Sequence, residues 1–125
     1  DEIPDPAQYY KKFKVRGLLE KDRLKLIDEA KKNEKAGVFC IVVECVADFV
    51  AKEITQSIKI PTIGIGASVH CDGQILVTDD MLGLSGFYPR FVKKFAKLNN
   101  IIEKSVQKYN KDVLTKKFPK KKNTY

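Results

Sequence analysis

The sequence contains few of the features that build disulfide frameworks, zinc sites or membrane spans. It has three cysteines, an odd number, and none of them form a CxxC pair, which argues against a disulfide framework and a zinc site and favours a reducing compartment. No apolar run approaches the length of about 18 residues that a transmembrane helix requires. The opening DEIPDP lacks the basic and apolar regions of a signal peptide. We therefore expect a soluble protein without a membrane partner.

Arginine is also scarce. The formal net charge is +8, but lysine supplies most of it, and only Arg16, Arg23 and Arg90 carry the planar guanidinium that binds phosphate in a bidentate way. The lysines cluster near the two ends of the chain, with few aromatic side chains among them for stacking on bases. This distribution argues against a specific nucleic-acid partner. We predict that residues 116–125 form a lysine-rich flexible tail.

Methionine occurs once, as Met81, so the sequence begins at Asp1 without an initiator. We expect a chain that is processed, trimmed or part of something larger. Its 125 residues suffice for one modest domain with a core of its own. This is below the roughly 250 residues that are typical of a closed (β/α)8 barrel.

Helices and strands are predicted to alternate along the chain. Prolines and clustered tyrosines before about Gly17 indicate a loop or connecting arm. From apolar spacing and short apolar runs, the predicted elements are helices over 20–35, 48–58, 91–98 and 101–114 and strands over 38–43, 62–67 and 75–77. Asn99 and Asn100 separate the last two helices. This order predicts an α/β fold with a parallel sheet and right-handed crossovers.

Glu44 follows the most apolar of these strands. Residues 38–43 read VFCIVV, which is typical of a strand buried on both faces of a parallel sheet. Parallel α/β folds carry their chemistry at the carboxyl ends of strands, so Glu44 is the first candidate for a catalytic residue. A salt-bridged or helix-capping glutamate at an ordinary strand-to-helix turn is the alternative, and the pattern leaves it open.

A glycine-rich segment, GIGAS at residues 64–68, follows another apolar run. It differs from the dinucleotide-binding GxGxxG pattern because Val69 stands where the third glycine would be, so we discount a Rossmann cofactor site. Backbone N–H groups in such a loop can still bind an anion close to a substrate. The sequence leaves that role open.

Two further motifs, at residues 70–72 and 79–80, are interpreted as structural. His70, Cys71 and Asp72 are all potential metal ligands, but adjacent residues seldom converge on one ion, so His70 is interpreted as a turn residue. Asp79 and Asp80 follow a predicted strand, and we interpret them as caps of the helix that comes next.

Three motifs, taken together, point to a family. They are VVECV at residues 42–46, IPTIGIGA at residues 60–67 and CDGQILV at residues 71–77. In order and spacing they resemble the C-terminal half of the ketopantoate hydroxymethyltransferases. Supporting similarity is found in YKKFKVRG at 10–17, LGL at 82–84 and PRFVK at 89–93. The resemblance covers roughly residues 8–115, and three motifs in register make it specific.

The resemblance implies a (β/α)8 TIM barrel, of which residues 1–115 are the C-terminal part with about three of the eight strands and their helices. An open piece of this kind has an unpaired sheet edge and a half-covered core. We therefore expect a C-terminal fragment of a longer enzyme, inactive alone and followed by the tail at 116–125.

The resemblance also implies an activity. Members transfer a hydroxymethyl group from 5,10-methylenetetrahydrofolate, the co-substrate, to 3-methyl-2-oxobutanoate, giving 2-dehydropantoate in pantothenate and coenzyme A biosynthesis. Their base, which removes the C3 proton, lies in the strand-ending ECV motif, and this assigns the role to Glu44. Mg²⁺ assists by polarising the keto acid, and its ligands are expected upstream of this chain.

Partners and location follow from the same resemblance. It implies small-molecule substrates, a homo-oligomer, and the cytoplasm, or the mitochondrion in a eukaryote. The alternative is a non-catalytic, barrel-derived fragment or binding protein that uses its basic ends on an acidic partner.

Two residues depart from the family pattern. Ser68 stands where the family usually has glycine, and a loop that requires positive φ would be tightened there. Ala47 stands where proline is common, which removes a rigid turn residue. Neither change alters Glu44.

Overall fold

The computed structural model describes residues 14–125. The predicted N-terminal arm therefore lies mostly outside the described residues, except for its last four, of which Arg16 bridges to Val46 in a parallel sense.

The described elements alternate between helix and strand, as predicted. In chain order they are α1 (Glu20–Lys35), β1 (Ile41–Glu44), α2 (Asp48–Ser57), β2 (Thr62–Ile65), β3 (Gly73–Gln74), α3 (Thr78–Leu82), α4 (Leu98–Leu114) and a 3₁₀ helix (Lys121–Asn123). They fall into two compact units. One contains the described residues up to Val77 together with Gly86–Val92, and the other contains Thr78–Ser85 and Lys93–Tyr125.

Helix α1 has the predicted boundaries. Acidic side chains lie in its first turn and Lys32 and Lys35 in its last, an arrangement that complements the helix dipole. It ends at Ala36, and Gly37 then adopts a left-handed φ of +88°, as glycine does at helix ends. The next helix, α2, also matches its prediction, apart from Ile58, which is extended.

The strand predicted over 38–43 is shorter and lies later in the chain. β1 covers Ile41–Glu44, and its first ladder bond runs from the N–H of Ile41 to the carbonyl of Pro61 (2.9 Å). Residues 38–40 are apolar but precede the point where a partner strand begins, so they add no ladder bonds. Apolar character alone therefore placed the start of this strand too early.

The sheet has three parallel strands in the order β1, β2, β3. Glu44 is in register with Ile65, and Ile63 is in register with Gly73. The strand predicted over 75–77 is wrong, since β3 is only Gly73–Gln74. The N–H of Ile75 still donates to the carbonyl of Gly64 (2.9 Å). Because β2 ends at Ile65, residues 76 and 77 have no strand residues to pair with.

The core of the first unit lies between the sheet and α2. Ala51 of α2 is fully buried in one cluster with Val43 of β1, which is 4% exposed, and Val50 of α2 is fully buried in a second cluster. Successive strand residues point to opposite faces, and Val42, on the other face, is 54% exposed. The prediction that β1 is buried on both faces is therefore wrong for the described residues, because they leave more than half of Val42 exposed.

Three predictions for the chain after β3 are wrong. Helix α4 is continuous through Asn99 and Asn100, which lie in its first turn, whereas residues 91–97 are not helical. The N–H of Phe95 instead donates to the carbonyl of Met81 (2.8 Å), which holds this stretch against α3. Helix α3 begins at Thr78, so Asp79 and Asp80 lie inside its first turn and are not caps.

The end of the chain folds back on α4. The N–H of Lys117 donates to the carbonyl of Asp112 (2.7 Å), and the Phe118 ring meets the Tyr109 ring edge-on with centroids 5.7 Å apart. The lysines beyond are exposed, and the flexibility of residues 116–125 stays a prediction. Among the described residues, no helix is long and apolar enough to span a membrane.

Candidate functional site

Glu44 is the last residue of β1, at the carboxyl end of the parallel sheet. Its side chain shares a face with Val42, opposite the buried Val43, and the residue is exposed. Within residues 14–125, the Glu44 carboxylate forms no hydrogen bond or ion pair, and α2 begins without a side-chain cap. The structure therefore supports neither the salt-bridged nor the capping alternative for Glu44.

The backbone turns sharply directly after Glu44. Cys45 has a φ of +53°, a left-handed conformation that is uncommon for a residue other than glycine and that concentrates at functional sites. Burial, and secondly the negative charge of Glu44, raise the pKa of the Cys45 thiol. The thiol is therefore protonated at neutral pH.

Arg16 holds this turn through its backbone. Its N–H donates to the carbonyl of Cys45 (2.8 Å), and its own carbonyl accepts from the N–H of Ala47 (2.9 Å). Ala47 has φ and ψ of −58° and 140°, a conformation open to proline, but a proline there would lack the N–H that bonds Arg16. The family departure at Ala47 thus adds one backbone hydrogen bond beside Glu44.

Asp22, in the first turn of α1, holds the side chain of Arg16. Its carboxylate accepts from the Arg16 Nε (2.9 Å) and from the backbone N–H of Gly17 (2.7 Å). Hydrogen bonding by the Arg16 guanidinium, and then by Gly17, lowers the pKa of the Asp22 carboxyl to about 2. The same pairing raises the pKa of Arg16. Both groups are therefore charged at neutral pH.

A cavity of about 230 Å³ lies between α1 and β1. Its walls include Arg16, Leu26, Ala30, Glu44, Val46 and Ile54. Glu29 and Asn33 also line it, so two carboxylates, one guanidinium and one amide lie among mainly apolar side chains. Sites for small organic ligands combine these features, a mostly apolar wall and a few polar groups that fix orientation.

The glycine-rich segment begins within β2 and continues beyond its carboxyl end, at the same end of the sheet. Gly66 is left-handed, with φ of +62°, and a Cβ there would lie 2.5 Å from the Cβ of Phe91, so only glycine fits. Ser68 is buried and does not need positive φ, which resolves the expectation raised by its replacing glycine. The Gln74 amide donates to the Ser68 carbonyl (2.6 Å) and fixes the loop. Anion binding by this loop stays a prediction.

His70, Cys71 and Asp72 do not assemble a metal site. The Asp72 carboxylate accepts from the backbone N–H of Thr62 (2.8 Å) and from its hydroxyl (3.1 Å), which ties the starts of β2 and β3 together. Cys71 packs against the core near Val43, and His70 lies in an exposed turn. Across residues 14–125, no three His, Cys, Asp or Glu side chains converge to hold a metal ion.

Sequence patterns alone missed the pairing of Arg16 with Asp22. The two residues are six apart and separated by a loop, so neither helical nor strand periodicity relates them. A signal was present nevertheless, because an acidic residue in the first helical turn just after an Arg-Gly pair can accept from both.

Comparisons with known proteins match this sequence to one family. The family model described as ketopantoate hydroxymethyltransferase matches residues 3–121. A 3-methyl-2-oxobutanoate hydroxymethyltransferase from Pelagibacter ubique is 50% identical over 113 residues, covering 90% of this chain and 44% of that protein. One from Clostridium botulinum is 47% identical over 123 residues, covering 98% of this chain and 45% of the relative.

A third relative of the same name, from Caulobacter vibrioides, is 48% identical over 113 residues. In each case the chain spans less than half the length of the relative. The match to the family model nevertheless covers nearly all of this chain, including the motif that ends β1 and the glycine-rich segment. The chain therefore belongs to the ketopantoate hydroxymethyltransferase family.

Proposed function

We propose that the protein takes part in hydroxymethyl transfer to 3-methyl-2-oxobutanoate, the reaction for which its relatives are named. The observation that carries this proposal is the position of Glu44. Its carboxylate is exposed at the carboxyl end of a parallel strand and has no partner among residues 14–125. Catalytic residues of (β/α)8 enzymes occupy this position.

Glu44 is the general base of the proposed reaction. Its carboxylate takes the C3 proton of the keto acid, and the resulting enolate forms a C–C bond with the one-carbon unit. A base must be ionised and free of competing donors when the substrate arrives. The absence of a hydrogen bond or ion pair at Glu44 within the described residues supports this role.

The proposed donor of the one-carbon unit is 5,10-methylenetetrahydrofolate. Its methylene carbon joins C3 of the keto acid, its bonds to the folate nitrogens break, and water supplies the hydroxyl oxygen of 2-dehydropantoate. The donor is proposed from the family resemblance. The cavity that Glu44 lines, at about 230 Å³, is below the usual range of roughly 300–1,000 Å³ for drug-sized ligands.

We propose that the three strands belong to a (β/α)8 barrel. Two observations support a larger sheet: β1 has a ladder partner on one side only, apart from the bridge at Arg16, and its Val42 face is exposed. Edge strands with exposed apolar side chains are usually covered or paired in native proteins. The remaining strands of a barrel would cover this face.

Magnesium is proposed as the assisting ion, again from the resemblance. The residues described here do not fit a complete magnesium site, since none of their acidic groups converge in the required number. We therefore propose that its ligands lie on strands that precede these in the barrel.

We also propose that the protein is a homo-oligomer of the cytoplasm that acts on small molecules. Partners of other kinds are not needed for the reaction. The lysines at 116, 117, 120, 121 and 122 are exposed and leave an acidic partner as the rival proposal.

A chimera tests the proposed function. In it, this chain replaces the matching 44% of the Pelagibacter ubique relative, and the product is measured with both substrates and Mg²⁺. We expect 2-dehydropantoate from the chimera and none from the 125-residue chain alone. A folded chimera that makes no product would refute the enzyme proposal and favour a binding protein, and turnover by the chain alone would refute the view that earlier strands are required.

A further inference from the structure

Asp22 binds both residues of the corner that leads into α1. Its carboxylate accepts from the Nε of Arg16 at 2.9 and 3.1 Å, and from the Nη2 at 2.5 Å. It also accepts the backbone N–H of Gly17 at 2.7 Å. A bidentate Arg–carboxylate pair constrains orientation as well as distance, so Asp22 fixes the direction in which this corner runs.

The backbone of the same corner bonds to the turn after Glu44. Arg16 donates to the carbonyl of Cys45 and accepts from the N–H of Ala47, at 2.8 and 2.9 Å. Cys45, which directly follows Glu44 and accepts one of these bonds, has a left-handed backbone conformation. Such a conformation persists only where surrounding contacts hold it.

The Arg16–Gly17 corner also packs against the buried core at Val50. Gly17 is buried with φ of +84°, and a Cβ at this position would lie 2.8 Å from the Cγ2 of Val50, a fully buried residue of α2. The backbone at Gly17 therefore packs so closely on Val50 that a side chain at this position would collide with it. Asp22 holds the corner there from outside, with its side chain 28% exposed.

We propose that Asp22 is a positioning residue for Glu44. By holding the Arg16–Gly17 corner against the end of β1, its carboxylate sets where the Glu44 side chain meets the C3 proton. The inference rests on the proposed function, because it assumes that Glu44 is the base. It goes beyond it by assigning a role in the same step to Asp22, whose carboxylate bonds Arg16 and Gly17.

The test uses the chimera described above and solvent deuterium exchange at C3 of 3-methyl-2-oxobutanoate, without the folate. Asp22→Ala removes the whole contact, and Asp22→Asn keeps one oxygen as an acceptor for the N–H of Gly17. Asp28→Ala is the matched control, since Asp28 lies on the same helix and pairs only with the exposed Lys32 (2.6 Å) among the described residues. Keto-acid affinity and thermal stability are measured for each variant.

We expect Asp22→Ala to lower the saturated exchange rate by about tenfold or more, because misplacement by about 1 Å can cost roughly 100-fold, with little change in keto-acid affinity. Asp22→Asn should lose less, and Asp28→Ala nothing. A merely structural role would lower the melting temperature and leave the saturated rate of the folded enzyme unchanged, which would overturn the proposal. If Asp22→Ala fails to fold, Asp22→Asn decides in the same way.

The two proposals fail differently. An unmutated chimera that folds but exchanges no C3 proton refutes the proposed function, and this inference with it. An active chimera whose folded Asp22 variants exchange at the unmutated rate refutes only the positioning role.

Discussion

The carboxylates at the two ends of the parallel sheet differ in their hydrogen bonding. At the amino end, the Asp72 carboxylate accepts two hydrogen bonds from Thr62, which is fully buried. At the carboxyl end, Glu44 is exposed and has no hydrogen-bond partner among residues 14–125. A carboxylate committed to N–H and O–H donors stabilises the fold, whereas one without donors is available to take a proton. Under the proposed function, one end of the sheet thus carries a stabilising carboxylate and the other end carries the reacting one.

The neighbouring contacts strengthen the contrast. At the amino end, the Thr55 hydroxyl bonds the Thr62 hydroxyl (2.8 Å) and donates to the Ala51 carbonyl (2.9 Å), so the network reaches into α2. At the carboxyl end, the backbone of Arg16 bonds the backbone of Cys45 and Ala47, and no residue within 14–125 bonds the Glu44 carboxylate. The Asp72 carboxylate is thus a hydrogen-bond acceptor within its network. The network at the carboxyl end fixes the backbone next to Glu44 and does not bond its carboxylate within residues 14–125.

The largest effect is expected at the carboxyl end. Glu44→Gln keeps the size of the side chain and removes its basicity, so product formation by the chimera should fall by about 10²- to 10⁴-fold, the usual worth of general-base catalysis. Its thermal stability should not change, because no described residue bonds this carboxylate. Steady-state kinetics and a thermal melt measure both. A melting temperature that falls together with the rate would show that Glu44 also stabilises the fold, which would contradict the contrast with Asp72.

A smaller effect, on stability, is expected at the amino end. Asp72→Ala leaves the buried N–H and hydroxyl of Thr62 without their acceptor, and should lower the free energy of unfolding of the chimera by about 1–3 kcal/mol. Urea unfolding measures the change. The saturated rate of C3 exchange should stay near that of the unmutated chimera. Loss of the rate without loss of stability would place Asp72 in the chemistry and break the comparison.

A pH dependence sharpens the contrast further. The pKa of Asp22 is about 2 in the fold and 3.8 for the ordinary group, so its contact with Arg16 stabilises the fold above about pH 4 and is lost as the pH falls towards 2. The stability difference between unmutated and Asp22→Asn chimeras should therefore shrink over this interval. Unfolding measured at several pH values tests this. A difference that is constant down to pH 2 would contradict the contact.

The smallest effect is expected from the tail, which belongs to neither end. Deleting residues 116–125 removes the contact of Phe118 with Tyr109 but nothing near Glu44 in sequence or in the sheet. C3 exchange by the chimera should be unchanged, and weak binding to polyanions should decrease, most visibly at low salt. A folded deletion variant without exchange activity would assign the tail to the site or to a subunit contact.

The parts of the fold that depend on local pattern could be predicted from the sequence. Helix α1 has the predicted ends because its apolar spacing, charged turns and closing Gly37 all agree. The start of β1 could not be predicted, because it depends on where Pro61 begins to accept ladder bonds. The pair Asn99 and Asn100 indicated a break, but Asn is tolerated in the first turn of a helix, where backbone N–H groups lack partners anyway.

The site divides in the same way. The position of Glu44 follows from a strand that ends on a carboxylate, and the sequence alone predicts it. The contact of Asp22 with Arg16 depends on a loop that returns α1 beside the end of β1, and no periodicity encodes it. The left-handed conformation of Cys45 likewise arises from tertiary contacts, because the residue type itself disfavours it.

The central claim is that Glu44 removes the C3 proton. Solvent deuterium exchange at C3 of 3-methyl-2-oxobutanoate, followed by NMR with no folate present, isolates that step from one-carbon transfer. The chimera should exchange the proton, and its Glu44→Gln variant should do so about 10²- to 10⁴-fold more slowly while binding the keto acid with similar affinity. Exchange by the folded Gln variant at the unmutated rate would contradict the claim and return Glu44 to a structural role.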